Sequence, residues 1–150
     1  MLATVAWIRL DTTDWSMTDE SFEVDSIEQL DALLDSVSFP AEAPVIAIVR
    51  RKNGDTFAIG VGKPVLYPED EDDSDLPDIT VANIAPANGG PPSYTSHTDS
   101  PYPGDICFFY NGSDSEFGGE AAVPRQKARE ALRQFLTSEG LPTAIDWQED

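Results

Sequence analysis

Apolar residues recur along this chain in two rhythms, and each rhythm predicts its own elements. Val5 to Leu10 is short, apolar and β-rich, so it predicts a strand, which Asp11-Thr12-Thr13-Asp14 breaks. Ile27, Leu30, Leu33, Leu34 and Val37 then recur at helical spacing, with Glu28, Asp31 and Asp35 on the opposite face. Asp25 or Ser26 supplies an N-cap, with Glu28 or Gln29 as the return arm of a capping box, and Phe39-Pro40 ends the helix. Val45 to Arg51 and Thr56 to Val61 read as two strands joined through Asn53-Gly54-Asp55, a strong hairpin signal. Val65-Leu66-Tyr67, Ile79 to Ile84 and Ile106 to Tyr110 are further β-type runs, the last closed by Asn111-Gly112. Ala85 to Pro103 is dominated by Pro, Gly, Ser, Thr and Asn and reads as an irregular loop. A break at Gly118-Gly119 follows Phe117, and Pro124 then opens a second helix whose buried stripe is Ala128, Ala131, Leu132 and Phe135. Gly140 and Pro142 close it, and Ile145 to Trp147 is a short terminal strand. Strands outnumber helices without alternating with them. The expectation is an α+β fold: a single domain over residues 1–150, with a mostly antiparallel sheet of about six short strands and two helices.

Charge changes this picture from a fold to a partner. The chain has 28 acidic residues against nine basic ones, a formal net charge of −19. The densest acid is Glu69-Asp70-Glu71-Asp72-Asp73-Ser74-Asp75, set between two β-type runs. Such charge adds nothing to a core, but it supplies solubility, a long-range field and fast encounter with a cationic partner. Nucleic acid and anionic membranes both demand clustered Lys and Arg, so direct binding to either is not expected. A basic protein is the natural complement. Arg50-Arg51-Lys52 at the hairpin and Arg125, Lys127, Arg129 and Arg133 on the second helix offset acid locally, which leaves the field concentrated near the mid-chain block and the first helix. Cys107 is the only cysteine, so no internal disulfide can form. No run is long and apolar enough for a transmembrane helix, and no basic leader precedes the first apolar run. A cytoplasmic location is the expectation.

Catalytic chemistry finds little support. His97 is the only histidine and lies in the Pro/Ser/Thr-rich stretch. Ser96, Thr98 and Asp99 adjoin it in sequence, but neighbours in a chain rarely form a triad, so a surface histidine is the simpler reading. Cys107 alternates with Ile106 and Phe108 and reads as a small core residue rather than a nucleophile. One His and one Cys cannot furnish a zinc site, and the acidic block lacks the glycine and terminal glutamate of an EF-hand loop. Gly60-Val61-Gly62 is too short for a dinucleotide fingerprint and reads as a strand end or bulge. Carboxylate pairs are too abundant to single out an acid and a base. No metal, cofactor or enzymatic activity is expected.

The assembled pattern resembles a known family. It runs from the first helix through Ile59-Gly60-Val61-Gly62 and Pro64-Val65-Leu66-Tyr67 to Phe108-Phe109-Tyr110-Asn111-Gly112 and Ser115-Glu116-Phe117. It continues through Val123-Pro124, Ala128, Ala131-Leu132 and Phe135-Leu136 to Gly140-Leu141-Pro142 and Ile145-Asp146-Trp147. Over roughly Phe22 to Trp147 this is similar to the first family of immunity proteins in bacterial polymorphic toxin systems, often found beside deaminase toxins. The resemblance implies an α+β fold and a non-enzymatic task, binding a cognate toxin domain and blocking its active site. The expected partner is a basic nucleic-acid deaminase. The expected partner-binding residues are Tyr67, Glu69, Asp70, Glu71, Asp72, Asp73, Asp75, Tyr94 and Tyr102, which bring carboxylates and aromatic rings close together in sequence. The alternative is an acidic cytosolic adaptor, or a nucleic-acid mimic without a dedicated toxin.

Overall fold

The computed structural model describes residues 1–10, 16–37, 44–62, 64–67, 78–110, 113–138 and 140–150. In chain order the elements are β1 (Ala3–Leu10), β2 (Met17–Val24), α1 (Ile27–Val37), β3 (Val45–Arg51), β4 (Thr56–Val61), β5 (Val65–Tyr67) and β6 (Ile79–Thr80). They continue as β7 (Ala82–Ala85), β8 (Tyr94–His97), β9 (Asp105–Tyr110), β10 (Ser113–Gly118), β11 (Val123–Pro124), α2 (Arg125–Thr137) and β12 (Asp146–Glu149).

Ten strands form one sheet in the order β10-β9-β3-β4-β7-β8-β12, with β1 beside β3, β2 beyond β1, and β5 beside β9; β6 and β11 form a separate two-stranded ribbon. Among the described residues every pairing is antiparallel except the single parallel contact of β3 with β9 at Val45 and Phe109. The α+β class, the two helices and the mostly antiparallel sheet are as the sequence implies. The strand number is not, because β2, β8, β10 and β11 were missed and the run from Ile79 to Ile84 divides at Val81 into β6 and β7.

β11 was missed because it is two residues long and ends on the proline read as opening the second helix, whereas β2, β8 and β10 are polar, each for a physical reason. β2 (MTDESFEV) and β10 (SDSEFG) lie at sheet edges, where water rather than protein covers much of the surface. β8 lies between β7 and β12, inside the stretch expected to be a loop. Its buried residue is Ser96, held by hydrogen bonds rather than by apolar packing: Oγ donates to the Ala121 carbonyl (2.6 Å) and accepts from the Ala82 amide (3.0 Å).

The local signals that set the rest are visible in atomic detail. Ser26 Oγ accepts from the Gln29 amide (3.1 Å), while Gln29 Oε1 reaches back to the Asp25 amide (2.6 Å), so a capping box starts α1. The expected stop at Phe39-Pro40 falls outside the described residues, as does the turn at Asn111-Gly112. Gly54, at φ +94°, turns β3 into β4 and donates to the Arg51 carbonyl at 2.9 Å. Gly60-Val61-Gly62 is a strand end, as the sequence implies: β4 finishes at Val61, and Gly62 follows at φ +88°. A Cβ at Gly60 would lie 2.5 Å from the Phe108 ring, so its missing side chain is space that Phe108 fills.

β3 and β4 are buried on both faces. Val45, Ala47, Val49, Phe57, Ile59 and Val61 meet Leu30 and Leu34 of α1 and the expected stripe of α2, Ala128, Ala131, Leu132 and Phe135. The alternate residues Ile46 and Ala58 face a second cluster with Val81, Ile106, Phe108, Ala121 and Ala122. The terminal strand joins the larger cluster through Trp147, whose ring stands edge-on to Phe57 at 5.9 Å while Nε1 donates to the Pro142 carbonyl (2.9 Å). Trp147→Ala therefore removes both a ring contact of the core and the bond that fixes the last turn. It is expected to cost about 3 kcal/mol, the usual scale for truncating a packed aromatic. Thermal or denaturant unfolding measures this, and a variant that melts with the parent would detach β12 from the core.

Candidate partner-binding surface

At one end of the sheet the main chain places Tyr67, Asp105 and Gly118 in a row across β5, β9 and β10, in direct register. The Glu120 carboxylate folds over Gly118, so close that a Cβ at Gly118 would meet its Oε2 at 2.5 Å. Beside them the Tyr102 amide donates to the Gly119 carbonyl (3.2 Å), and the half-buried Tyr102 packs against the second cluster. Gly119 permits this approach, since any side chain there would collide with the Tyr102 carbonyl. The Thr98 amide donates to the Glu120 carbonyl (2.8 Å) and draws the end of β8 to the same place.

This end therefore unites Tyr67, Tyr102, Asp105 and Glu120. The acidic residues Glu69, Asp70, Glu71, Asp72, Asp73 and Asp75 lie outside the described residues, but the chain leaves for them from Tyr67 and returns at Asp78. Tyr94 does not belong to this group. It begins β8 opposite Ile84, level with Phe57 and Val49, near the end of the sheet that carries the β3–β4 turn. Asp105 and Glu120 escaped the sequence reading because each is an isolated acid beside glycines, and only strand pairing brings them together.

The return of the chain is clamped. Arg125 Nε bonds Asp78 Oδ1 (2.7 Å), its Nη2 donates to the Gly62 carbonyl (2.6 Å), and its amide donates to the Asp78 carbonyl (3.0 Å). Other arginines are consumed in the same way. Arg129 bonds Asp31 (3.1 Å) and Asp35 (2.8 Å), and Arg133 bonds Asp31 (3.2 Å), so the acid of α1 is partly neutralised by α2. This corrects the expectation that the first helix is a focus of negative field. Arg9 pairs with Glu20 and Arg51 with Asp55. Among the described residues Arg50, Lys52 and Lys127 make no ion pair, and Asp99, Asp114, Glu116, Glu130, Asp146 and Glu149 make none with an arginine or lysine.

The catalytic candidates stay unassembled. His97 Nε2 lies 3.5 Å from Asp99 Oδ1, with no nucleophile bonded to it. Burial, aided by the charges of Asp114 and Glu116, pushes the Cys107 thiol pKa up, away from thiolate chemistry. Among the described residues no group of three His, Cys, Asp or Glu could hold a metal ion, and no helix is long and apolar enough to cross a membrane.

The sequence model of the immunity protein family Imm1 matches residues 18–149, from the second residue of β2 to the end of β12. The chain belongs to the Imm1 immunity protein family. No curated protein matches it. Imm1 membership gives the chain a toxin-neutralising role and a cognate toxin as its partner. The charge allocation suits that role, because most of the guanidinium groups are paired within the fold while unpaired carboxylates remain outside.

One internal pair is open to titration. The hydrogen bond from Arg51 holds the Asp55 carboxyl below the usual aspartate range, with further bonds from the Ala87 amide and Asn53 working against the desolvation of burial. A depressed pKa means that the folded state favours the carboxylate. The stabilisation is thus complete above the ordinary aspartate value of about 4 and fades as pH falls through the lower folded value. Asp55→Asn is expected to cost about 1 kcal/mol or more at pH 7, with the gap to the parent closing below about pH 4. Melting curves across pH 2–7 test it, and a gap independent of pH would remove the ion pair from the account.

Proposed function

We propose that this Imm1 protein inhibits a secreted nucleic-acid deaminase by covering its active site, acting in the cytoplasm as one non-catalytic domain. A deaminase of this class works on an exposed base through a zinc-activated water, so its cleft must be basic where the phosphates lie. A plug needs the complementary groups, carboxylates in place of phosphates and a ring in place of a base. The observation that carries the reading is the grouping of Tyr67, Tyr102, Asp105 and Glu120 where the chain enters the run Glu69 to Asp75. Tyr94, near the other end of the sheet, is the candidate anchor that this placement favours least.

The decisive experiment is co-expression with a candidate toxin sought in the neighbouring gene, followed by a deaminase assay on single- and double-stranded DNA and RNA. Rescue and inhibition are expected. An acidic adaptor or nucleic-acid mimic without a dedicated toxin would give neither, and would instead bind basic proteins indiscriminately.

Inhibition is expected to be competitive with nucleic acid, and a ternary complex of toxin, immunity protein and substrate would rule out plugging. Tyr102→Ala or Tyr67→Ala is expected to weaken binding by about 2 kcal/mol, as aromatic anchors do. The melting temperature of each variant separates lost contact from lost packing. Neutralising Asp70, Glu71, Asp72 and Asp73 to Asn or Gln should slow association more than it speeds dissociation, because exposed carboxylates act through steering. Stopped-flow rates across a salt series measure this, and an on-rate indifferent to both salt and substitution would make the run a solvated surface only.

A further inference from the structure

β2 is an eight-residue strand at the edge of the sheet, and among the described residues it pairs only with β1. The Leu2 amide donates to the Val24 carbonyl at 2.8 Å, so the main-chain groups of Val24 face β1. Groups alternate sides along an antiparallel strand. Those of Phe22, Glu20 and Thr18 therefore also face β1, and those of Met17, Asp19, Ser21 and Glu23 face outward.

The side chains say what could pair there. Asp19, Ser21 and Glu23 are exposed on one face of β2, and Glu20 is tied to Arg9 on the other. Phe22 rests on Trp7 with ring centres 5.1 Å apart, yet remains 38% exposed, so its outer surface is apolar and uncovered. A second copy of this chain does not fit. In the antiparallel registers that overlap best, Glu20 would meet Glu20 or Asp19 would meet Glu23, and like charges directly opposite destabilise a pair. A strand with basic residues on one face and an apolar residue against Phe22 on the other fits on every count. Charged edges commonly serve to block association. Here the block is selective, because carboxylates repel a copy and attract a basic strand.

We propose that β2 is a docking edge on which the cognate toxin adds an extended, basic segment as a further strand of the sheet. This rests on the immunity reading but concerns a surface distinct from the tyrosine–acid group at the far side of β9. The test uses the full chain and its cognate toxin domain, with amide hydrogen exchange read residue by residue. In the complex the amides of Asp19, Ser21 and Glu23 are expected to slow at least tenfold, while those of Thr18, Glu20 and Phe22, already bonded to β1, change little. Ser21→Pro removes one outward N–H without touching the β1 ladder, a substitution edge strands tolerate. It is expected to weaken binding at least tenfold, with Ser21→Ala unchanged. Binding with no slowing of the outward amides would overturn the docking edge and leave the immunity reading standing. Absence of any binding would overturn both. Should Ser21→Pro fail to fold, exchange in the unaltered protein still decides.

Discussion

The fold depends on one hairpin that is buried on both faces over most of its length, away from its turn. β3 and β4 alternate between two apolar layers, with Phe57 and Ile59 beneath the helices and Ile46 and Ala58 beneath Phe108 and the turn at Ala121. A strand pair buried on both faces must have every main-chain group bonded in the sheet, since water reaches neither side. The neighbours supply those bonds: β1 and β9 share the outer edge of β3, and β7 takes that of β4. With the centre closed in this way, polar sequence is admissible only toward the rims, and the polar strands β2, β10 and β12 are found there.

Charge follows the same geography. An arginine near the core is useful because its planar fork can bond several oxygens at once. Arg51 bonds Asp55 and the Phe135 carbonyl while its plane lies over the Phe135 ring at 4.3 Å, and Arg125 joins Gly62 and Asp78. Each such arginine stitches segments distant in sequence and hides its own charge in doing so. The net −19 is therefore expressed at the surface with little cationic interruption. One placement thus supplies cohesion inside the fold and field outside it.

Both helices, the central hairpin and β9 were legible because each signal was local or periodic: the capping residues before α1, Asn53-Gly54-Asp55, and the stripe Ala128, Ala131, Leu132, Phe135. β2, β8 and β10 were not, because a strand that buries little, or buries a serine through hydrogen bonds, carries no apolar alternation to read. The candidate site divides in the same way. Tyr67 and Tyr102 could be named from sequence, but the row formed by Tyr67, Asp105 and Gly118 exists only through register between β5, β9 and β10. Pairing of distant strands is a property of the whole chain, and no window of residues contains it.

The clamp at Arg125 has a consequence for how this family can change. Tyr67 is fixed to Asp105 on one side, and Asp78 is fixed to Arg125 on the other, so the stretch between them begins and ends on anchored points. Closing a chain segment between fixed ends costs only about 0.6 kcal/mol more for each doubling of its length. Closure cost alone therefore sets little limit on the number of residues between those two anchors. Under the proposed function, that freedom would let the chain change what a toxin meets while keeping the anchors that hold the fold.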